Sequence, residues 1–390
     1  MAGPRRHQRR QRRTLISARD DRRAALFTSP MTATAGARVQ PGADFHKRTY
    51  QKPDGRKLYL YGRQPHELPV TEELEPGPVS TPHLRWHPLR GEWVAYASHR
   101  QERTFKPPAE FCPLCPVQPG GFPGEIPFAD FEVAVFENRF PAFHPGAPEP
   151  PELPIPTRPA KGQCEVVVYS SAHRGSVGEL SRERRELLVR VWADRYRDLL
   201  AHDMVAFVMP FENRGEEIGV TLHHPHGQIY AFPFVPPAVA PMVAAFREGP
   251  VLSTLRERIG DAYDIAGNEH AVAFVPPCAR FPSEVWLMPR AFHPGPWTFS
   301  DAETLGFADV LGEVVARYDA LYGRPMPYLC ILYAAPKGEE DRFHFHIQFF
   351  PFLRTGDRLK YLAGCEQGAG TFLVDGLPEQ MAARLREVRP

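Results

Sequence analysis

His224, Pro225, His226, Gly227 and Gln228 put two imidazoles and an amide within five residues. Side chains alternate along a strand, so the three polar groups are expected on one face, able to bind metal, attack an electrophile and donate hydrogen bonds. That set suits chemistry at phosphorus. Water and hydroxyls attack a phosphate diester anion slowly, whereas a neutral imidazole can displace the leaving group and hold the phosphoryl group as a phosphoramidate until an acceptor arrives. A single histidine here would read as a core residue satisfied by hydrogen bonds. Three polar groups at alternate positions favour a site. The flanks Gly219-Val220-Thr221-Leu222 and Ile229-Tyr230-Ala231-Phe232 carry β-branched and aromatic residues and extend the expected strand on both sides. Gly227 is expected to let a phosphate approach the backbone.

A second cluster, Cys112-Pro113-Leu114-Cys115, fits one half of a zinc site or a metal-free surface pair. The other cysteines are scattered. Cys164, Cys278 and Cys330 stand beside apolar residues and read as small buried hydrophobes. A disulfide framework is not expected at this size and cysteine density, which points to the reducing cytoplasm.

The elements that must position these groups occur twice. Glu165 to His173 reads as a strand ending in His, followed by a Ser181-capped helix with Leu187, Leu188, Val191, Trp192, Leu199 and Leu200 at helical spacing. Glu284 to His293 repeats the strand, and Ser300 caps a helix with Leu305, Val310, Leu311, Val314, Val315, Tyr318 and Leu321. Each copy closes on a His-x-His-x-Gln strand, His224 to Gln228 and then His344 to Gln348. Such repetition implies duplication. Residues 45–235 are read as the catalytic domain and 236–390 as its structural, substrate-closing partner. Between them a helical stretch is expected over Val239, Met242, Val243, Phe246, Leu255 and Ile259, and 44 prolines argue against long uninterrupted helices. The fold class is α+β, with antiparallel sheets and helices packed outside.

Length and charge narrow the alternatives. At 390 residues, 43% hydrophobic and 24% charged, the chain reads as globular. Nine arginines against Asp20 and Asp21 give residues 1–30 a charge of +7, leaving −6 for the rest of a chain whose net charge is +1. The basic character therefore belongs to a tail, residues 1–44, expected to be disordered, and no nucleic-acid partner is expected. The tail has no signal-peptide core; Met31 as the start, or an organellar transit role, stay open. No apolar run reaches the length of a membrane span.

The stretch from Glu212-Asn213-Arg214-Gly215 through Gln228 resembles the active-site signature of the galactose-1-phosphate uridylyltransferase family, the transferase branch of the histidine triad superfamily. Trp86 to Trp93, Ser98-His99-Arg100, Cys112 to Cys115, Phe136 to Pro141 and Lys360 to Gly364 resemble further family segments in the family's order. The resemblance spans about residues 45 to 390 and implies two histidine-triad-like repeats with half-barrel sheets. It also implies UDP-glucose:galactose-1-phosphate uridylyltransferase activity by a ping-pong mechanism. His226 would be the nucleophile, and Gln228, where the hydrolase branch has His, would donate to a phosphoryl oxygen. Zinc ligands would be Cys112, Cys115, His173 and His224, a closed structural site. Arg100, Arg103, Asn138, Asn213 and Thr221 would contact nucleotide or phosphate, though a surface Arg is usually a solvated charge and either Asn could cap a turn. Lys360 would face phosphate and Glu366 a sugar hydroxyl, from a glycine-rich, flexible segment reaching the neighbouring subunit of a homodimer. The chain also departs from the family. At a second metal site of some members stand Met242, Tyr333, His346 and Gln348, and Phe372 replaces a sugar-recognising Gln. A nucleotide-sugar phosphorylase, or a transferase for another sugar or nucleotide, is the alternative.

Overall fold

The computed structural model describes residues 45–66, 69–70, 81–102 and 106–390; the basic tail and Arg103 lie outside the described residues. β1 (His46–Gln51) and β2 (Lys57–Gly62) form a hairpin turning on left-handed Gly55. β3 (His83–His87), β4 (Glu92–Tyr96) and β6 (Thr157–Pro159) make a small separate sheet, with β5 (Val133–Glu137) between them in sequence. Then come β7 (Gln163–Val168), α1 (Arg182–Leu200), β8 (Phe207–Arg214) and β9 (His226–Phe232). After α2 (Ala240–Glu248) and α3 (Val251–Ile259) the pattern returns. It runs through β10 (Asp264–Gly267), β11 (Ala271–Phe274), β12 (Val285–Pro289), α4 (Asp301–Leu321), β13 (Tyr328–Tyr333) and β14 (His346–Pro351). A hairpin of β15 (Leu353–Thr355) and β16 (Arg358–Leu359) precedes α5 (Pro378–Glu387).

Eleven strands share one antiparallel sheet in the order β1-β2-β5-β7-β9-β8-β13-β14-β12-β11-β10. The duplication is written in its register. Phe211 pairs with Gln228 and Val166 with Gln228 in the first copy; adding 120 to each number gives Ile331 with Gln348 and Trp286 with Gln348 in the second. Phe211 and Ile331 pair with each other, so the relation between copies passes through the β8–β13 seam.

Period-2 alternation divides the sheet's faces. Val135, Val167, Val208, Ile229, Cys330, Ile347 and Phe349 join one core with Leu188, Val191 and Trp192 of α1 and Leu311, Val314 and Tyr318 of α4. Ser181 Oγ caps α1 by accepting from Arg184 N, and Ser300 with Glu303 closes a full capping box on α4. These helices run for 19 and 21 residues. Expecting short helices from the proline count was therefore wrong, because none of the prolines lies within α1 or α4. The helical stretch expected over 239–259 is two helices, broken at Gly249-Pro250. Cys164 and Cys330 are buried as expected, but Cys278 is exposed, in the turn before β12. Among the described residues no helix is long and apolar enough to cross a membrane.

The second copy buries its histidines deeply. Burial pulls both His344 and His346 down to about 4, against backbone carbonyls that raise them. Between pH 6.5 and 4 the unfolded chain therefore binds protons that the folded chain refuses. This stability is fully present above pH 6.5 and is lost as pH falls toward 4, by at most about 1.4 kcal/mol per pH unit per histidine. Thermal melts across that range should show the decline, and His346→Phe should make it shallower; an unchanged slope in the variant would contradict the assignment.

Candidate active site

β9 supplies the central side chain. The strand begins at His226, two residues later than the motif suggests: His224 sits in a bend, and residues 219–223 form no strand. Pro225 has no N–H to give a ladder, and the His224 carbonyl is taken by the His226 ring. His226 Nδ1 lies 2.7 Å from His224 O, so Nδ1 carries the proton and Nε2 keeps its lone pair. Burial holds His226 below the usual histidine range, opposed by that backbone bond. The ring is therefore neutral near pH 7 and stands on the wall of a cavity of about 960 Å³.

His224 turns the other way, to a Cys/His cluster. Its Nε2 lies 2.8 Å from Ser170 O, which directs Nδ1 toward the thiols. Cys115 Sγ is 3.5 Å from His224 Nδ1 and 3.3 Å from His173 Nδ1, and Cys112 Sγ is 4.0 Å from His224 Nδ1. All four ligand atoms lie within 4.8 Å of one another. A tetrahedron with bonds of about 2.0–2.3 Å has edges of roughly 3.3–3.8 Å, so this donor set fits a closed four-coordinate ion. Its electrostatics agree. Burial pushes the Cys115 thiol up to about 12, with Cys112 adding to the shift, so two adjacent thiolates need a cation between them. Burial also lowers His224 to about 4 and holds His173 below its usual value, leaving both rings neutral and able to ligate.

The cavity continues from His226 past Asn213, Arg214, His173 and Arg174, with Lys106, Glu216, Glu217 and Arg324 across it. Asn213 is on the open face of β8, and its neighbour Glu212 points into the core. Burial raises Glu212 to about 7, while Arg214 and the Tyr328 hydroxyl, 3.1 Å away, pull it down. Arg214 is held by two bonds to Asp319 of α4, at 2.7 and 2.9 Å. Neither the motif nor composition marks Lys106 or Arg324 as site residues. Lys106 follows the arginine segment and Arg324 precedes β13, so topology alone brings them to His226.

The other expected contacts separate into groups. Gln228 follows His226 on the same strand face and takes the Tyr230 hydroxyl on Oε1 at 3.5 Å; it is not among the residues lining the cavity. Thr221 contributes its carbonyl, which accepts from Lys106 N at 2.8 Å. Arg100 Nη1 donates to Phe140 O at 2.8 Å, and Asn138 Oδ1 accepts from Phe140 N at 2.8 Å, so Asn138 caps a turn that Arg100 clamps, beside a different cavity. Lys360 and Glu366 pair with each other at 2.6 Å, away from His226's cavity. Their glycine-rich segment takes a defined π-helical turn over Cys365–Ala369, closed by left-handed Gly370, rather than an irregular loop. In the second copy, Tyr333 stacks on His346 with centroids 5.4 Å apart, Gln348 Nε2 lies 3.1 Å from His346 Nε2, and Met242 packs in the same cluster. Phe372 packs on Phe281 and Arg280.

Residues 72–236 match the family described as galactose-1-phosphate uridyl transferase, N-terminal domain, and residues 255–390 match galactose-1-phosphate uridyl transferase, C-terminal domain. The galactose-1-phosphate uridylyltransferase of Thermotoga maritima is 38% identical over 320 residues, covering 78% of this chain and 98% of its own length. A solved structure described as "Structure of uridylyltransferase" superposes with a TM-score of 0.69 at 28% identity, over 78% of this chain and 97% of that one. An ADP-glucose phosphorylase of Arabidopsis thaliana with bound ADP-glucose gives a TM-score of 0.60 at 21% identity, over 79% and 99% of the two chains; that likeness is one of fold.

Gly227 has a use other than the expected one. It is buried with Ile229 on the helix-packed face, opposite His226. A Cβ there would meet the Tyr169 hydroxyl at 2.3 Å and Phe211 O at 3.0 Å. The glycine thus makes room for Tyr169 under the strand rather than for a phosphate above it. Gly227→Ala should destabilise the protein by roughly 1–3 kcal/mol, and adding Tyr169→Phe should recover part of the loss. A melt of Gly227→Ala equal to the parent would refute this packing account.

Proposed function

The chain belongs to the galactose-1-phosphate uridylyltransferase family of nucleotidyltransferases, and from that premise we propose that it moves UMP from UDP-glucose to galactose 1-phosphate through a uridylyl-histidine on His226. The observation that carries the proposal is the 2.7 Å contact from His226 Nδ1 to His224 O, which leaves Nε2 as the nucleophilic nitrogen at the cavity. In the first step Nε2 forms a bond to the α-phosphorus of UDP-glucose while the bond to the bridging oxygen breaks, releasing glucose 1-phosphate. In the second, a phosphate oxygen of galactose 1-phosphate attacks the same phosphorus, the P–N bond breaks, and UDP-galactose leaves. Gln228 offers amide N–H groups to a non-bridging oxygen as charge builds there. An amide has no proton to give the departing imidazole, which favours transfer over hydrolysis. Asn213, Thr221, Arg100, Arg103, Lys360 and Glu366 are proposed as substrate contacts of this reaction, the last two across a homodimer. Exposed Tyr361 and Leu373 beside that segment support such an interface.

Incubation with UDP-glucose alone should add one UMP per chain by intact mass. His226→Gly should abolish the adduct while the melt stays near the parent's; a variant that still turns over would end the assignment. Because burial holds His226 below its usual range, the acid limb of kcat/KM should lie at lower pH than an ordinary histidine would give. Rapid turnover with inorganic phosphate as acceptor in place of galactose 1-phosphate would identify a phosphorylase instead.

We also propose that Cys112, Cys115, His173 and His224 hold one zinc ion, a structural cross-link between the Cys loop and the approach to β9. Site assembly is coupled to folding, so Cys115→Ser should lower metal content and Tm together. It should also lower kcat, since a shift of about 1 Å at His226 can cost roughly 100-fold. Full stability and activity in metal-free protein would overturn the proposal.

A further inference from the structure

Two cations on the cavity wall are held by carboxylates. Lys106 pairs with Glu216 and Arg324 with Glu217, and both acids stand on the short turn Glu216–Ile218. His223 Nε2 lies 3.4 Å from Glu216 as well. The turn is bounded by Gly215 and Gly219, with φ of 107° and 83°, and none of its residues is buried. Gly215 packs tightly on Pro327, whereas nothing lies within 4 Å of the place a Gly219 side chain would occupy. One end of the turn is anchored and the other is open. Lys106 has φ 44°, a positive value that among the described residues is otherwise confined to glycines. Strain of this kind collects where function requires a side chain in one place. An exposed ion pair contributes little to stability, so holding a lysine this way calls for another reason.

We propose that Lys106 and Arg324 bind phosphoryl oxygens of the substrates, and that Glu216 and Glu217 occupy those positions in the free protein as intramolecular anions that the substrate displaces. Carboxylate and phosphate compete for the same donors, and a diphosphate brings more charge and more acceptor oxygens to the ammonium and the planar guanidinium. Displacement frees the turn to swing about Gly215 without breaking a strand, since β8 ends at Arg214 and β9 starts at His226. This inference rests on the reading of His226 as the site of nucleotide transfer. It adds two binding residues and a competitor that ties substrate affinity to charge on one turn.

Calorimetric titration with pyrophosphate separates the possibilities, with the UMP adduct measured in parallel on the same proteins. Glu216→Gln combined with Glu217→Gln should tighten pyrophosphate binding roughly two- to five-fold per carboxylate removed, and Lys106→Ala or Arg324→Gln should weaken it by similar factors. KM for galactose 1-phosphate should move in the same directions, with kcat changing less than about two-fold. If the ion pairs are merely structural, removing the acids will leave the affinity unchanged or weaken it, and that outcome overturns the inference whether or not the adduct forms. If affinities shift as expected but no adduct appears, the cation assignment stands and the transfer reading fails.

Discussion

Three atoms of one residue hold the site in register. His224 Nε2 is fixed on Ser170 O, its Nδ1 faces the two thiols, and its carbonyl oxygen accepts the proton of His226 Nδ1. The tautomer of His226 is thus set by a backbone atom of a residue whose ring belongs to the Cys/His cluster. The Cys loop is secured in turn by charge. Lys52 and Arg56 of the β1–β2 hairpin both reach Glu125, at 2.5 and 2.9 Å, and Glu125 N bonds Pro113 O at 2.7 Å. Burial lowers Lys52 to about 8, opposed by Glu125, and its ammonium sits 4.3 Å from the Phe136 ring. Removing one partner of such a buried pair typically costs about 3–5 kcal/mol. The hairpin, the loop and the strand bearing His226 are therefore one mechanical unit.

The second copy shows which parts of that unit are scaffold. His344 Nε2 lies 3.1 Å from Ala291 O and His346 Nδ1 2.9 Å from His344 O, the same two contacts as in the first copy. What differs lies beyond them. Ser253 Oγ, 3.5 Å away, faces His344 Nδ1 where thiols face His224. Gln348 Nε2 stands 3.1 Å from His346 Nε2, occupying the lone pair that His226 keeps for the cavity, and His346 is buried among Tyr333, Phe343 and Trp286. Inheritance of the strand and tautomer without an accessible nitrogen makes a core layer, not a second site.

Much of this was legible in the residues. Periodicity located α1 and α4, serines marked their caps, and two His-x-His-x-Gln strands revealed the duplication. The Cys/His set came from resemblance, because no local pattern links Cys112 with His173 and His224; sheet pairing does that. Legibility failed where the chain's purpose is set by what packs against it. Gly227 looked like a phosphate-approach glycine until Tyr169 was found beneath it, and His224 looked like a strand residue although Pro225 forbids a regular ladder there. Asn138 could be read as a ligand or as a turn cap, and its Oδ1 accepts from Phe140 N in a turn. Lys106 and Arg324 carried no signal, since an isolated cation in a sequence is ordinarily solvated and only the fold puts these two beside Glu216 and Glu217.

Duplication also explains how the strand that carries His226 comes to lie deep within a sheet. A three-strand unit of β7, β9 and β8 alone would leave β8 an open edge, with unpaired backbone groups on the strand next to that of His226. Pairing β8 with β13 turns that edge into the middle of an eleven-stranded sheet. The α1 and α4 helices pack side by side across the same seam, and Arg182 of α1 binds Asp309 of α4 at 2.7 Å. Arg214, the last residue of β8, is held by Asp319 of α4, so the second copy fixes the end of the strand from which the Glu216–Ile218 turn departs. The second copy thus fixes, through β13 and Asp319, both the flank of the strand pair that carries His226 and the strand end from which the Glu216–Ile218 turn departs.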